Sequence, residues 1–511
     1  MDRKKLVRTF RKLHKWPGII IAVFAINFAF SGIIMNHRSL FSGVDISRKW
    51  LPKTYEYNNW NLAALRGGMS VGSDSLLLFG NIGVWIKTNE RYIDYNQGFP
   101  KGIDNRKINQ LIRFKGKLVA ATQFGLFERN PHIGEWKALP LSGERFADLF
   151  IKQDTLMILS RNYLIKSYDL GHFETITLPA QEGYTKSAGM FITLWELHSG
   201  ELFGTVGKLL VDLLGFVTIL LSVTGLLHFF LPKLMRRRKR RTGSSGNLPS
   251  AFRLNLRWHN VVGYLFVLFL IINTTAGMFL RPPLLIPIVN QRVGIIPGTH
   301  LDNDNPWTDK LRKGVWNQQA GIYIFSTSDG FFAADEKLRS SMIRCDSQPP
   351  VSLMGCNVLE PVDGTRYLIG SFSGMFIWDA LTGQVSDFFS GKGYEAPTGM
   401  ARPVSDHMVA GYIRDSENHQ WIFDYNLGVS EKTSGSNLEM PGAVKEKSPI
   451  SLWNLSLEIH TGRIFEPFIG MLYLLFIPFA GICVLMVLIS GFMVWYLPKR
   501  KKGQQDRKNE K

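Results

Sequence analysis

The hydrophobic positions of this chain follow two patterns. Four runs stay apolar for about 20 residues, the length a bilayer requires. They extend from about Pro17 to Met35, from Leu213 to Leu231 with an apolar lead from Leu202, from about Val261 to Leu280, and from about Phe468 to Leu497. The last is longer than one span needs, which predicts a tilted or projecting helix. Between them lie stretches of short β-branched and aromatic runs broken by Gly, Asn and Asp, as in LIRFKGKLVAATQFGLFERN (111–130), LFIKQDTLMILSRNYLIKSYDL (149–170) and RYLIGSFSGMFIWDALTGQVSDFF (366–389). These predict strands and turns, and their rhythm of about 35–45 residues resembles propeller blades, about three to each stretch. The expected fold is a membrane α-helical bundle of four transmembrane helices in two pseudo-symmetric halves, with a β-rich outer region. That region either closes as one split propeller, built from two half-domains with six or seven blades, or stands as two separate domains.

Charge fixes the expected orientation. The 511 residues carry 60 Lys+Arg against 41 Asp+Glu, a net +19. Residues 1–16 hold 7 basic and 1 acidic side chains, 232–258 hold 9 and none, and 499–511 hold 7 and 2, so the remainder of the chain is close to neutral. Basic patches flanking apolar runs mark the cytoplasmic side, and their confinement to those patches argues against a nucleic-acid binder. The expected organisation is a cytoplasmic N-terminus (1–16), a first span (17–36), an outer β segment (37–194), a helix extension and second span (195–231), and a cytoplasmic loop (232–258). A third span (259–281), a second outer β segment (282–450), an extension and fourth span (451–498) and a cytoplasmic tail (499–511) complete it. No A-x-A-like site follows the first run in NHRSLFSG, so it reads as an uncleaved anchor.

The spans repeat. His14 is followed by Gly18 and Gly32, and His259 at the same offsets by Gly263 and Gly277. LHSGELFG (197–204) precedes the second span and IHTGRIFE (459–466) the fourth, and VTGLLHFFLPK (223–233) and ISGFMVWYLPK (489–499) close them. Matching His14 with His259, and His198 with His460, as equivalent positions of the two copies implies a pseudo-two-fold axis along the membrane normal. The closing glycines are Gly225 and Gly491.

Six of the 11 histidines lie at span ends: His14, His228 and His259 at the cytoplasmic edge, His37, His198 and His460 on the outer side. Ionisable side chains at a span are candidates for function, and neutral imidazole is a preferred axial ligand of haem iron. A site of two histidines needs them on different helices at one depth. His14 and His37 are 23 residues apart, about 35 Å of helix, and His198 and His228 are 30 apart, about 45 Å if that helix is continuous. Continuity puts His198 above the lipid, which leaves the outer pairing open. Histidines at helix ends also simply solvate or cap carbonyls. Zinc is the other metal reading, with only Glu196, Glu201 and Glu458 nearby as further ligands.

Other residues carry two readings each. Gly32, Gly225, Gly277 and Gly491 either allow close helix packing or clear space for a flat macrocycle. Arg38, Arg257 and Arg463 either pair with haem propionates or anchor the interface. Lys208 and Asp212, four apart, read as an i,i+4 ion pair. Cys345 and Cys356 in the second outer segment read as a disulfide or as two thiols, and Cys483 as a packing residue; C-x-x-C and C-x-x-C-H are absent. Ser–His–Asp, P-loop and H-E-x-x-H patterns are absent too, so no catalytic acid, base or nucleophile is assigned.

FRKLHKWPGIIIAVFAINFAFSGIIMNHR and ELHSGELFGTVGKLLVDLLGFVTILLSVTGL resemble the first and second helices of the PepSY-associated transmembrane family, and the third and fourth spans are similar to weaker copies. The resemblance is confined to the membrane segments. It implies a bacterial inner-membrane protein of iron uptake, resembling siderophore reductases that carry b-type haem on histidines. The residues that match are His14, His198, His259 and His460; His37 and His228 are added from their depth. It implies one or two haem b groups, a ferric chelate or siderophore as substrate, the lipid bilayer as surroundings and no nucleic acid. Some relatives carry a fused flavin-dependent reductase domain, and the loop and tail here are too short for one. The donor is then a separate flavoprotein or quinol. The outer segments read as propeller blades rather than the small α/β PepSY unit, so the resemblance says little about substrate. The expected activity is ferric-chelate reduction. The alternative is a non-redox, membrane-anchored ligand-binding or signalling protein with a periplasmic β domain, and a transporter component is a third reading that duplicated halves allow.

Overall fold

The computed structural model describes residues 3–71, 75–88, 91–131, 134–142, 145–351, 355–395 and 405–509. The chain forms two compact units, one of residues 1–41, 186–303 and 453–511, the other of 42–185 and 304–452.

The first unit is helical. Among the described residues four helical stretches, Arg3–Asn36, Glu201–Thr242, Leu248–Met278 and Arg463–Leu497, are long and apolar enough to cross a membrane. Six helices matter for the site: α1 (Arg3–Asn36), α2 (Met190–Ser199), α3 (Gly204–Thr242), α4 (Leu248–Met278), α5 (Leu452–His460) and α6 (Tyr473–Asn509). Large apolar side chains such as Ile20, Phe216, Leu268 and Phe479 point outward, away from the protein. That is costly in water and favourable against lipid, while the helical backbone satisfies its own polar groups. Leu214, Val217, Val262 and Leu270 pack α3 against α4.

The expected continuous helix from His198 to His228 is broken. α2 ends at Gly200, whose φ of +85° is left-handed, a short 3₁₀ turn runs from Glu201 to Phe203, and Gly204 (φ +61°) starts α3. A Cβ on Gly200 would lie 2.3 Å from the Gly207 carbonyl oxygen, and one on Gly207 2.1 Å from that of Gly200, so the fold demands glycine at both. The second copy repeats the device: α5 ends at His460, Gly462 has φ +74°, and a 3₁₀ turn covers Arg463–Phe465. Each of these histidines therefore sits at the end of its own short helix, and the helix length between His198 and His228 no longer sets its depth.

The second unit is β-rich and antiparallel. Its first segment forms three four-stranded sheets, starting at strands Gly67–Ser70, Ile108–Phe114 and Phe146–Lys152. Its second segment forms two four-stranded sheets, starting at Leu311–Asn317 and Val358–Pro361, and a three-stranded sheet starting at Val409–Arg414. Period-two alternation is muted in the middle strands, such as Leu76–Gly80 and Thr155–Ser160, because both faces are covered. The apolar clusters lie between consecutive sheets. Leu77, Phe79 and Leu118 join the first two; Val119, Phe146 and Ile158 the second and third; Phe150, Leu159 and Phe325 the third and fourth. Ile324, Phe331 and Trp378 join the fourth and fifth, and Val358, Val409 and Tyr412 the fifth and sixth. A further cluster of Leu78, Trp85, Ile413 and Phe423 joins the first sheet to the sixth. A buried ion pair, Lys313 to Asp148 at 2.8 Å, bridges the first strands of the third and fourth sheets. Cys345, Cys356 and Cys483 are all free thiols.

Candidate functional site

The helical unit brings four of the six boundary histidines into two facing pairs. His14 of α1 and His259 of α4 have ring centroids 6.0 Å apart. His198 of α2 and His460 of α5 have centroids 5.9 Å apart. Along α1, His14 and Gly32, which touches the second pair, are separated by 18 residues, about 27 Å of helix.

All four histidines are held by one local device. Each ring lies edge-on against a glycine of another helix, and each Nδ1 faces the carbonyl four residues before that glycine. His14 meets Gly491 and donates to Val487 O at 2.9 Å. His198 meets Gly277 and donates to Asn273 O at 3.0 Å. His460 meets Gly32 and donates to Phe28 O at 3.0 Å. His259 meets Gly225, with the Leu221 carbonyl beside it and its Nδ1 2.8 Å from Thr224 Oγ1. A Cβ would stand 2.6 Å from His198 Cε1 at Gly277, 2.8 Å from His14 Cε1 at Gly491, 3.3 Å from His460 Cε1 at Gly32 and 3.5 Å from His259 Cε1 at Gly225.

This arrangement determines the tautomer. A carbonyl only accepts, so Nδ1 carries a proton, and in the neutral ring Nε2 then keeps its lone pair. Metal-binding histidines are oriented in the same way, with the non-ligating nitrogen donating to a backbone carbonyl. Two imidazoles bound to one metal through Nε2, at about 2 Å each and with ring centres about 1.1 Å behind the nitrogens, have centroids about 6.2 Å apart. The two observed pairs match that separation, and the glycine edges supply the clearance. A tetrahedral zinc site needs more ligands than two, and no group of three or more His, Cys, Asp or Glu able to hold a metal occurs among the described residues.

The other two boundary histidines have different partners, and His228 stays within electrostatic reach of His14 and His259. His37 Nε2 is 2.7 Å from Asp212 Oδ2, and Asn36 bonds both Asp212 Oδ1 (3.2 Å) and the Ser199 carbonyl (3.1 Å). His228 stacks on Phe252 with centroids 4.9 Å apart. The expected Lys208–Asp212 pair does not form; Lys208 reaches Glu201 at 2.6 Å, because the turn at Gly200 brings Glu201 under α3. Arg38 lies over the Trp453 ring at 3.7 Å, Arg463 pairs with Glu458, and Arg257 is exposed. Burial, followed by the neighbouring Arg463 guanidinium, lowers Arg281 from the ordinary arginine range.

The residues missed from sequence are the carbonyl acceptors and the hydroxyls beside the glycines. Ser31 Oγ is 3.0 Å from His460 Nδ1 and Thr224 Oγ1 is 2.8 Å from His259 Nδ1. Their signal was the residue before the glycine, in FSG and VTG.

A family model described as the PepSY-associated TM region matches residues 1–233 and again 232–497. No curated protein matches the chain in sequence. Three solved structures illustrate its distant likenesses. The extracellular domain of the proposed hybrid two component system BT4673 from B. thetaiotaomicron is 9% identical, with a TM-score of 0.35, over 73% of this chain and 33% of that one. The corresponding domain of BT3049 from the same organism is 10% identical, with a TM-score of 0.33, over 73% of this chain and 40% of that one. The N-terminal domain of Nup159 is 9% identical, with a TM-score of 0.32, over 73% and 91%. The chain thus spans between a third and two fifths of the length of the first two.

Proposed function

The chain belongs to the PepSY-associated TM region family, a multi-pass membrane protein matched over 1–233 and 232–497, and on that footing we propose that it is a b-type haem protein of the bacterial inner membrane. In this reading it carries electrons across the bilayer and reduces a ferric chelate on the periplasmic side during iron uptake. The observation that carries the reading is the recurrence of one histidine setting, which brings an Nδ1-bonded imidazole from each of two helices together at two levels, with ring centroids 6.0 Å apart in one pair and 5.9 Å in the other. His14 and His259 would hold one haem and His198 and His460 the other. Bound haem supplies reversible one-electron chemistry at each level. The chain's own part is to fix the ligand tautomer, to leave clearance through the glycines, and to exclude water with the apolar helices around them.

The basic stretches 1–16, 232–258 and 499–511 support cytoplasmic termini. The six consecutive sheets, three from each outer segment and each sharing an apolar cluster with the next, support reading the β unit as one six-bladed propeller. Electrons come from a separate flavoprotein or from quinol. Ferrous iron carries less charge than ferric iron and is held more weakly by a hard oxygen-donor chelate, so reduction would release it.

The test is an absorption spectrum of the detergent-purified protein, oxidised and then dithionite-reduced, with haem per chain measured. A sharp reduced b-type spectrum at two haems per chain is expected. A chain that stays colourless after haem-supplemented expression overturns the reading in favour of a membrane-anchored binding or signalling protein.

A further inference from the structure

The four histidine settings share a carbonyl but differ in a hydroxyl. In the residue before each glycine the chain has Ser31, Thr224, Ala276 and Ser490. Ser31 Oγ donates to its own helix at Asn27 O (2.7 Å) and stands 3.0 Å from His460 Nδ1. Thr224 Oγ1 donates to Leu220 O (2.6 Å) and stands 2.8 Å from His259 Nδ1. With its proton committed to the helix, each hydroxyl accepts from the ring N–H, which is thereby shared between a carbonyl and a hydroxyl. His198 faces Ala276, which has no hydroxyl. Ser490 Oγ turns to Val487 O (3.1 Å), the carbonyl that His14 uses. Each pair therefore joins one doubly accepted imidazole to one singly accepted imidazole.

Serine and threonine often bond the carbonyl four residues back in apolar helices without further role. Two features go beyond that habit: the same position before a histidine-facing glycine is used twice, and both hydroxyls are buried beside a ring nitrogen. A second acceptor on Nδ1–H gives the ring more imidazolate character and makes Nε2 a more basic ligand. A more basic axial ligand favours the more highly charged ferric state, so it lowers the reduction potential. Resting on the haem reading above, we infer that Ser31 and Thr224 are positioning residues that lower the potential of the haem held by His460 and of the haem held by His259, respectively.

The test is an equilibrium redox titration of the haem-loaded full-length protein, followed optically, with haem content measured for each variant. Thr224→Val raises the potential of one centre and Ser31→Ala that of the other, each by a several-fold change in the ferric/ferrous ratio at fixed potential. Tenfold, the expected upper end, is 59 mV for one electron. Thr224→Ser keeps the wild-type value. Ala276→Ser, which supplies a hydroxyl beside His198, lowers the potential of the centre that Ser31→Ala raises. If Thr224→Val fails to load haem, the opposite signs at Ala276 and Ser31 still decide the matter, since general loosening of the bundle has no reason to give both signs. Unmoved potentials at full haem content, or shifts of one sign at both positions, overturn the inference alone. A wild-type chain that takes up no haem overturns the functional reading and this inference with it.

Discussion

Replacing Gly277 by alanine puts the histidine–glycine device to its sharpest test. The added Cβ would stand 2.6 Å from His198 Cε1 and 2.9 Å from Nδ1. Carbon pairs rest at about 3.5–4.0 Å, so the ring must retreat by about 1 Å. That carries Nδ1, now 3.0 Å from Asn273 O, to about 4 Å, beyond hydrogen-bond range. The expected cost is about 1–3 kcal/mol for overpacking and about 1 kcal/mol for the lost bond. It is offset by about 1 kcal/mol from replacing glycine within a helix. The net loss of about 1–3 kcal/mol falls on the His198–His460 pair and, on the proposed haem reading, is expected to weaken haem retention there by about tenfold to a hundredfold. Gly225→Ala meets His259 Cε1 at an ordinary 3.5 Å and is expected to be neutral or slightly stabilising. Gly491→Ala (2.8 Å) should resemble Gly277→Ala but affect the other centre, and Gly32→Ala (3.3 Å) should be mild. Haem per chain, the reduced spectrum and the melting temperature of the four purified variants check this order. Equal haem retention in all four, or greater loss from Gly225→Ala than from Gly277→Ala, refutes the reasoning.

Other outcomes follow from the same geometry. His14→Ala and His259→Ala should each remove the same haem, His198→Ala and His460→Ala the other, whereas His37→Ala and His228→Ala keep both; haem stoichiometry separates these. Asp212→Ala should cost about 1–3 kcal/mol by stripping the partner from His37 and Asn36, visible as a lower melting temperature with haem content retained. In the β unit, Asp148→Asn leaves the buried Lys313 ammonium without its counter-charge and should cost about 3–5 kcal/mol. Burial, the largest single effect, would depress Lys313, but the charge and hydrogen bond of Asp148 together with the nearby Cys356 and Glu360 outweigh it and the net shift is upward. The pair's contribution is thus complete below the ordinary lysine pKa of about 10.4 and is lost as pH rises through the raised value in the folded state. Lys313→Met should therefore flatten the alkaline limb of the stability–pH curve, and unchanged alkaline melting in that variant would count against the pair.

Much of this architecture was legible because its signals are long or repeated. A run of about 20 apolar residues needs no tertiary information, and three basic patches carry the expected topology. The β unit was legible as strands separated by turns, since hairpins are written locally, as in the Lys115–Gly116 turn with both φ positive. The pairing of His198 with His460 stayed open because the helix break at Gly200 depends on the close approach of Gly200 to Gly207, which sequence does not announce as a distance. The same break redirected Lys208 to Glu201 and freed Asp212 for His37. The glycines were singled out with two readings, and the structure places a histidine edge against each of the four. The carbonyls at Phe28, Leu221, Asn273 and Val487 were illegible, because a backbone acceptor carries no side-chain signature.

Every histidine–glycine contact joins the stretch 1–233 to the stretch 232–497: Gly32 with His460, Gly225 with His259, Gly277 with His198, and Gly491 with His14. Neither stretch alone contains a finished site. Two copies of a single such stretch, related by a two-fold axis, would complete both sites, but each would be obliged to present identical residues from its two sides. Joining the copies in one polypeptide lifts that obligation. Ser31 can then differ from Ala276, and Thr224 in its orientation from Ser490, so that the two histidines of one pair are adjusted separately by mutations that leave the other side untouched. On this view the duplication gives the molecule a freedom that a symmetric dimer lacks: a gradient between its two faces can be adjusted one substitution at a time.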